Sequence, residues 1–124
     1  MTGGPPRPYS TDAELAESGA RRINYSQRSM PLLEALAARF REQRPFDGMT
    51  VAACLHVTAE TAVLARTLRA GGAQVALAAS NPLSTQDDVA AALVLEHGVE
   101  VRAIRGEDLD SYARHVRALL DGSP

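Results

Sequence analysis

The chain has 124 residues, 45% of them hydrophobic and 23% charged, with a formal net charge of −2 at pH 7. That is about one domain, long enough to bury roughly two thirds of its unfolded surface. The slightly acidic balance offers no basic footprint for nucleic acid or an anionic membrane, no apolar run approaches the ~20 residues of a membrane span, and a single cysteine rules out a disulfide framework.

Residues 1–10 hold three of the seven prolines and almost nothing apolar, which predicts a disordered arm; residues 11–124 then form one domain. The opening Met-Thr-Gly-Gly-Pro-Pro-Arg-Pro lacks the apolar core of a secretory signal, so the expected location is the cytoplasm. A helical segment follows, with Leu15, Ile23, Met30, Leu32, Leu33 and Leu36 as its apolar stripe. Proline fits the first turn of a helix and breaks an interior, so Pro31 divides the segment into helices over about 12–29 and 31–43.

After the turn signal Phe46-Asp47-Gly48, Thr50 to Val57 is nearly all apolar and reads as a strand buried on both faces of a parallel sheet, with Cys54 a buried structural thiol. A helix over about 59–70 stops at Gly71-Gly72. Gln74 to Ala79 is the second strand, and Ser84-Thr85-Gln86-Asp87 has the pattern of a capping box opening a helix over about 85–97. Val99 to Ile104 is the third strand, Arg105-Gly106-Glu107-Asp108 a turn, and Leu109, Tyr112, Ala113, Val116, Leu119 and Leu120 mark a last amphipathic helix. The alternation calls for an α/β fold. We expect a three-layer Rossmann-like or flavodoxin-like half-domain, with about three parallel strands, helices on both faces and a helical N-terminal segment. Three strands are few for such a sheet, so an edge should be left for another chain or a continuation.

Ligands of open α/β sheets bind outside the carboxyl ends of the strands. Two loops leave those ends, His56-Val57-Thr58-Ala59-Glu60 and Ser80-Asn81-Pro82-Leu83-Ser84-Thr85-Gln86-Asp87, and together they offer an imidazole, hydroxyls, amides and carboxylates. Such a rim suits a nucleoside-like ligand. Structural readings stand beside this one: Thr58 as a helix cap, Ser84 and Asp87 as capping-box members, Asn81-Pro82 as turn chemistry. Glu60 also reads as a complement to the helix dipole, but only His56 and Glu60 lack a compelling structural explanation. Other chemistries lack their spacing, since no Gly-x-Gly-x-x-Gly, Walker loop or Gly-x-Ser-x-Gly follows a strand, and His56, His97 and His115 fall in different elements with no metal-ligand pattern. His97 beside Gly98 reads as a dipole partner at a helix end, and His115 as a solvated helix residue.

Met30-Pro31, Val51-Ala52-Ala53-Cys54-Leu55-His56-Val57-Thr58-Ala59-Glu60-Thr61, Leu68-Arg69-Ala70-Gly71-Gly72-Ala73, the long stretch Ala79 to Leu93, and Ala103-Ile104-Arg105-Gly106-Glu107-Asp108 together resemble the S-adenosyl-L-homocysteine hydrolase family over about residues 12–121. The resemblance implies the amino-terminal part of that enzyme's substrate-binding domain. The family cleaves S-adenosylhomocysteine reversibly to adenosine and homocysteine, with NAD oxidising the ribose 3′-hydroxyl so that the C4′ proton becomes acidic and the thiol can leave. It implies that His56 is the catalytic acid/base, that Thr58 contacts substrate, that Glu60 reads the adenine amino edge, and that Asn81, Ser84, Gln86 and Asp87 position the ligand. Departures from the pattern are Ala79, where relatives often carry cysteine, and Asn24-Tyr25-Ser26-Gln27, which replaces a more charged, tryptophan-bearing version. The NAD-binding domain and the family's later catalytic aspartate, glutamate and lysine have no counterpart here. The expectations are therefore no cofactor held by this chain and no turnover by it alone. A small-molecule partner of the adenosine or S-adenosylhomocysteine type is expected, with completion by a homo-oligomer or a complementary chain. A non-catalytic paralogue binding a nucleoside or a protein is the alternative, and a small enzyme that has repurposed His56 and Glu60 a third.

Overall fold

In the computed structural model, residues 13–103 and 105–120 are described; the expected arm over 1–10 lies outside them. Five helices and three strands follow in order: α1 Ala13–Arg28, α2 Pro31–Gln43, β1 Thr50–Leu55, α3 Ala59–Ala70, β2 Gln74–Ala79, α4 Asp87–His97, β3 Glu100–Arg102 and α5 Leu109–Leu120. The strands form one parallel sheet in the order β1-β2-β3, with Thr50 opposite Gln74 and Ala76 opposite Glu100. Both connections step across the sheet in the same direction. The right-handed crossover rule then puts α3 and α4 on one face, and α5 lies on the other, against β2.

Local chemistry sets the boundaries. Pro31 occupies the first turn of α2, and the helix ends at Arg44 in the left-handed region. Gly72 and Gly98, at φ +98° and +67°, turn the chain out of α3 and α4. Asp108 caps α5 by accepting from the Ser111 amide at 2.7 Å.

Several expectations are corrected. The buried side of α1 is Ala16, Gly19 and Ile23, whereas Leu15 is 38% and Leu32 75% exposed. Ile23 is buried as expected, with Met30 and Leu33 packed on the core, and at Gly19 α1 comes close against α4: a Cβ there would stand 1.8 Å from the Asp88 carbonyl oxygen. Asp88 strengthens that crossing by accepting from Ser18 Oγ and Arg22 Nε, both at 3.1 Å. The first strand stops at Leu55 and is not buried on both faces; it is an edge strand whose residues are half-buried or exposed. Val51 and Ala53 pack on the core, while Ala52 and Cys54 point to the face that α5 covers only in part. Cys54 is accordingly exposed, its thiol donating to the Ala79 carbonyl at 3.3 Å. The last helix buries His115 and Leu119 but leaves Leu109 and Leu120 about three-quarters exposed.

The capping box does not form. Gln86 is the N-cap of α4 and makes no side-chain cap bond, and Ser84 bonds back to Asn81 instead. His115 is buried rather than solvated, its Nδ1 2.5 Å from Glu107 Oε1. His97 lies in the last turn of α4, and its Nε2 is buried with no hydrogen-bond partner among the described residues. Burial, and then the nearby Arg66 charge, hold its pKa below the ordinary imidazole value, with Glu96 pulling the other way. The unfolded chain therefore takes up a proton at this residue at a higher pH than the folded chain does. Stability present above the unfolded imidazole pKa of about 6.5 is lost as the pH falls through it toward the folded value. The thermal midpoint should fall between about pH 7.5 and about pH 5.5 more steeply in the natural chain than in His97→Gln; equal slopes would remove His97 from the pH response.

No helix among the described residues is long and apolar enough to cross a membrane.

Candidate functional site

The carboxyl ends of β1 and β2 are zipped together just beyond the strands. Val57 and Thr85 form a parallel bridge, with the Val57 amide donating to Ser84 O at 2.8 Å and the Gln86 amide to Val57 O at 2.9 Å. This clamp fixes the two loops against each other, because a backbone pair buried at both residues cannot slide without exposing its polar groups. His56 precedes the clamp and stands exposed on the rim, its Nδ1 3.2 Å from Ser80 Oγ at the end of β2. Ser80 is held in turn: its amide donates to Leu55 O at 3.1 Å, and its carbonyl accepts the Tyr112 hydroxyl of α5 at 2.8 Å. The Tyr112 phenol is raised above its ordinary pKa by partial desolvation first, then by the Cys54 thiol and Glu107 nearby, and so remains a hydrogen-bond donor.

The other expected site residues divide by what they touch. Thr58 is the N-cap of α3, its Oγ1 3.5 Å from the Thr61 amide and 3.4 Å from the Thr61 hydroxyl, so its capping role is real. Glu60, in the first turn of α3, is exposed and accepts from Ser26 Oγ of α1 at 3.4 Å. Asn81 and Ser84 bind each other: Asn81 Oδ1 accepts from the Leu83 amide at 2.8 Å, the Asn81 amide donates to Ser84 Oγ at 3.2 Å, and that hydroxyl donates to Asn81 O at 3.0 Å. Asp87 Oδ1 accepts the Arg105 amide at 3.0 Å, while Arg105 Nη1 reaches Leu83 O at 2.8 Å. The β3–α5 connection thus buttresses the second loop. Among the described residues the buried Gln86 Oε1 has no partner, and the buried Thr85 hydroxyl beside it is in the same condition.

The fold therefore brings His56 and the β2 end into direct contact, while Thr58, Glu60 and Asp87 are each tied to separate neighbours. Sequence reasoning placed Ser80 on the rim without its contact to His56, and missed Tyr112, Arg105 and Ser26. Ser80 was legible as the residue opposite His56 once two adjacent parallel strands were expected. The others come from α1 and from beyond β3, and no local pattern marks them.

Chemically the rim can exchange a proton at an exposed imidazole steadied by a hydroxyl, and can accept from an amine through an exposed carboxylate. The groups present do not fit a dinucleotide. The first turns of α3 and α4 carry no glycine for close approach of a pyrophosphate, and Gly71-Gly72 and Gly98 lie at helix ends where carbonyls point outward. Among the described residues no cluster of His, Cys, Asp and Glu could hold a metal ion.

Comparison with known proteins bears directly on this arrangement. An adenosylhomocysteinase from Gloeobacter violaceus is 55% identical over 111 residues, covering 90% of this chain and 26% of that protein. Adenosylhomocysteinases from Aquifex aeolicus and Sulfolobus acidocaldarius are 53% and 50% identical over 113 residues, each covering 91% of this chain and 27% of its relative. The chain thus spans about a quarter of the length of the curated relatives it matches. Across residues 9–123 it matches the family described as S-adenosyl-L-homocysteine hydrolase, and to that family it belongs.

Proposed function

We propose that this chain supplies part of the adenosine or S-adenosylhomocysteine site for reversible hydrolysis of S-adenosylhomocysteine to adenosine and homocysteine, and does not turn over alone. The observation that carries this reading is the exposed His56 hydrogen-bonded to Ser80 across the ends of two clamped parallel strands. Ser80 engages Nδ1 and leaves the other ring nitrogen to meet the ribose and the departing sulfur, where His56 exchanges a proton. Glu60 accepts from the adenine amino group, and its bond to Ser26 sets the approach. Thr58 offers its hydroxyl at the base of α3. Asn81, Ser84 and Asp87 shape the second loop, and Gln86 Oε1, which has no partner among the described residues, is a group on this side that a polar ligand would satisfy.

NAD, which the family uses to oxidise the ribose 3′-hydroxyl, finds no fitting residues here. The groups that would hold it belong to the part of the relatives' length that this chain does not span, and the rim described here would be completed by that part. The rim's openness supports this: His56, Glu60 and Asn81 are all exposed, as one wall of a site would be. A cytoplasmic setting suits the single free thiol. A second reading, a non-catalytic module that binds a nucleoside or a protein, is favoured by the unpaired edge of β1 and its thinly covered face.

Calorimetric titration separates these. Adenosine and S-adenosylhomocysteine should bind the purified chain saturably and weakly, and a His56→Ala, Glu60→Ala variant should lose about tenfold or more of that affinity, as expected for lost polar contacts. Absence of heat up to millimolar ligand would sink nucleoside recognition by the isolated chain.

A further inference from the structure

Away from the strand ends, a cleft of about 500 Å³ lies between α1, α2 and α3. Its small lining residues are Ala37, Thr67 and Ala70, and the Thr67 hydroxyl is already spent on the Val63 carbonyl at 2.8 Å. Short side chains where α2 and α3 face each other leave the space. Long polar ones wall it: Arg28 from the end of α1, Arg41 from α2 and Arg66 from α3, with Glu34 the one carboxylate among the lining residues.

Three positive charges thus face a single negative one. Of the other arginines, Arg21 pairs with Glu17, Arg22 with Asp88, Arg44 with Asp47 and Arg102 with Glu100, Arg69 and Arg105 donate to backbone carbonyls, and Arg39, Arg114 and Arg117 are exposed to water. Among the described residues none of the three cleft arginines has a carboxylate partner. Arg28 lies over the Tyr25 ring at 5.9 Å, and half-buried Arg66 donates to the neutral Asn24 Oδ1 at 3.0 Å. A guanidinium partly withdrawn from water and bound only to an amide is incompletely compensated. Burial in fact lowers the Arg66 pKa from its ordinary value.

We propose that this cleft binds a small dianion, a phosphoryl group or a dicarboxylate, held by Arg28, Arg41 and Arg66. The planar fork of each guanidinium matches either oxyanion with paired hydrogen bonds. Arriving on three separate helices, the forks can surround a tetrahedral or two-headed anion rather than meet it from one side. The site is independent of the nucleoside rim, sharing no residue with it.

The test is calorimetric titration of the full 124-residue chain with sodium pyrophosphate and, in a separate arm, sodium succinate, at low salt. Arg28 and Arg41 are exposed, so the double variant Arg28→Gln, Arg41→Gln keeps the packing, which circular dichroism verifies; Arg114→Gln on α5 is the charge-matched surface control. At least one anion should bind at a single saturable site, about tenfold or more weaker in the double variant and unchanged in Arg114→Gln. Preference for pyrophosphate assigns a phosphoryl ligand, and preference for succinate a dicarboxylate. No saturable binding of either up to millimolar anion, or equal affinity in the natural chain and the double variant, overturns the site.

Discussion

Replacing Gly19 with alanine should destabilise this chain by about 3 kcal/mol, lowering its thermal midpoint by about 10 °C. The direction is the informative part. Within a helix, glycine to alanine ordinarily stabilises by up to about 1 kcal/mol, because alanine loses less backbone entropy on folding. At Gly19 the new Cβ would stand 1.8 Å from the Asp88 carbonyl oxygen, 2.4 Å from its carbonyl carbon and 2.9 Å from the Val89 nitrogen. These are backbone atoms of a buried helix turn and cannot swing aside as a flexible side chain would. The helices α1 and α4 would have to part, stretching the Ser18 and Arg22 bonds to Asp88 and opening the packing around Ile23. Urea unfolding of the two chains checks this. An unchanged or raised midpoint would mean that α1 can pull away at little cost, and that the close crossing does not organise the fold.

The largest functional effect should come from His56→Asn when the chain is completed. With the remaining three-quarters of the Aquifex aeolicus adenosylhomocysteinase supplied as a second chain, the natural fragment should restore S-adenosylhomocysteine hydrolysis. The His56→Asn fragment should be slower by about 10²- to 10⁴-fold, the usual contribution of a positioned acid/base group. Asparagine keeps a polar side chain that can still meet Ser80, so the loss isolates proton transfer from loop geometry. The loss should fall on kcat more than on KM, since the exchanged proton matters in the transition state. A decrease smaller than tenfold would take His56 out of the chemistry, and failure of the natural fragment to restore any activity would count against the half-site reading itself. A parallel Ser80→Ala fragment should show a smaller effect, because Ser80 only steadies the imidazole.

Legibility differed by element, and the differences have physical causes. The division at Pro31 and the helix stops at Gly72 and Gly98 were visible because each depends on one residue's own backbone restrictions, whatever surrounds it. The parallel α/β order followed from alternating periods and from connections long enough to cross a sheet. The site loops were locatable for the same reason, since strand ends are where an open sheet presents them.

Burial was not legible in the same way. Of the expected stripe Ile23 is buried and Met30 and Leu33 pack on the core, yet Leu15 and Leu32 are exposed while Ala16 and Gly19 make the close contact, because the distance between two helices is set by the partner as much as by the helix itself. Cys54 read as buried because its strand is apolar, but whether a face is covered depends on where α5 lands, which Thr50 to Leu55 cannot encode. His115 read as solvated and is buried against Glu107, and the Ser84-to-Asp87 capping pattern gave way to bonds with Asn81 and Arg105. Thus the chain's order, its stops and its family membership were determined by sequence, through residue-level backbone rules and a long shared pattern. Which faces are covered, that His56 meets Ser80, and that Arg28, Arg41 and Arg66 converge on one cleft were decided only by tertiary structure, because each depends on contacts between segments far apart in the chain.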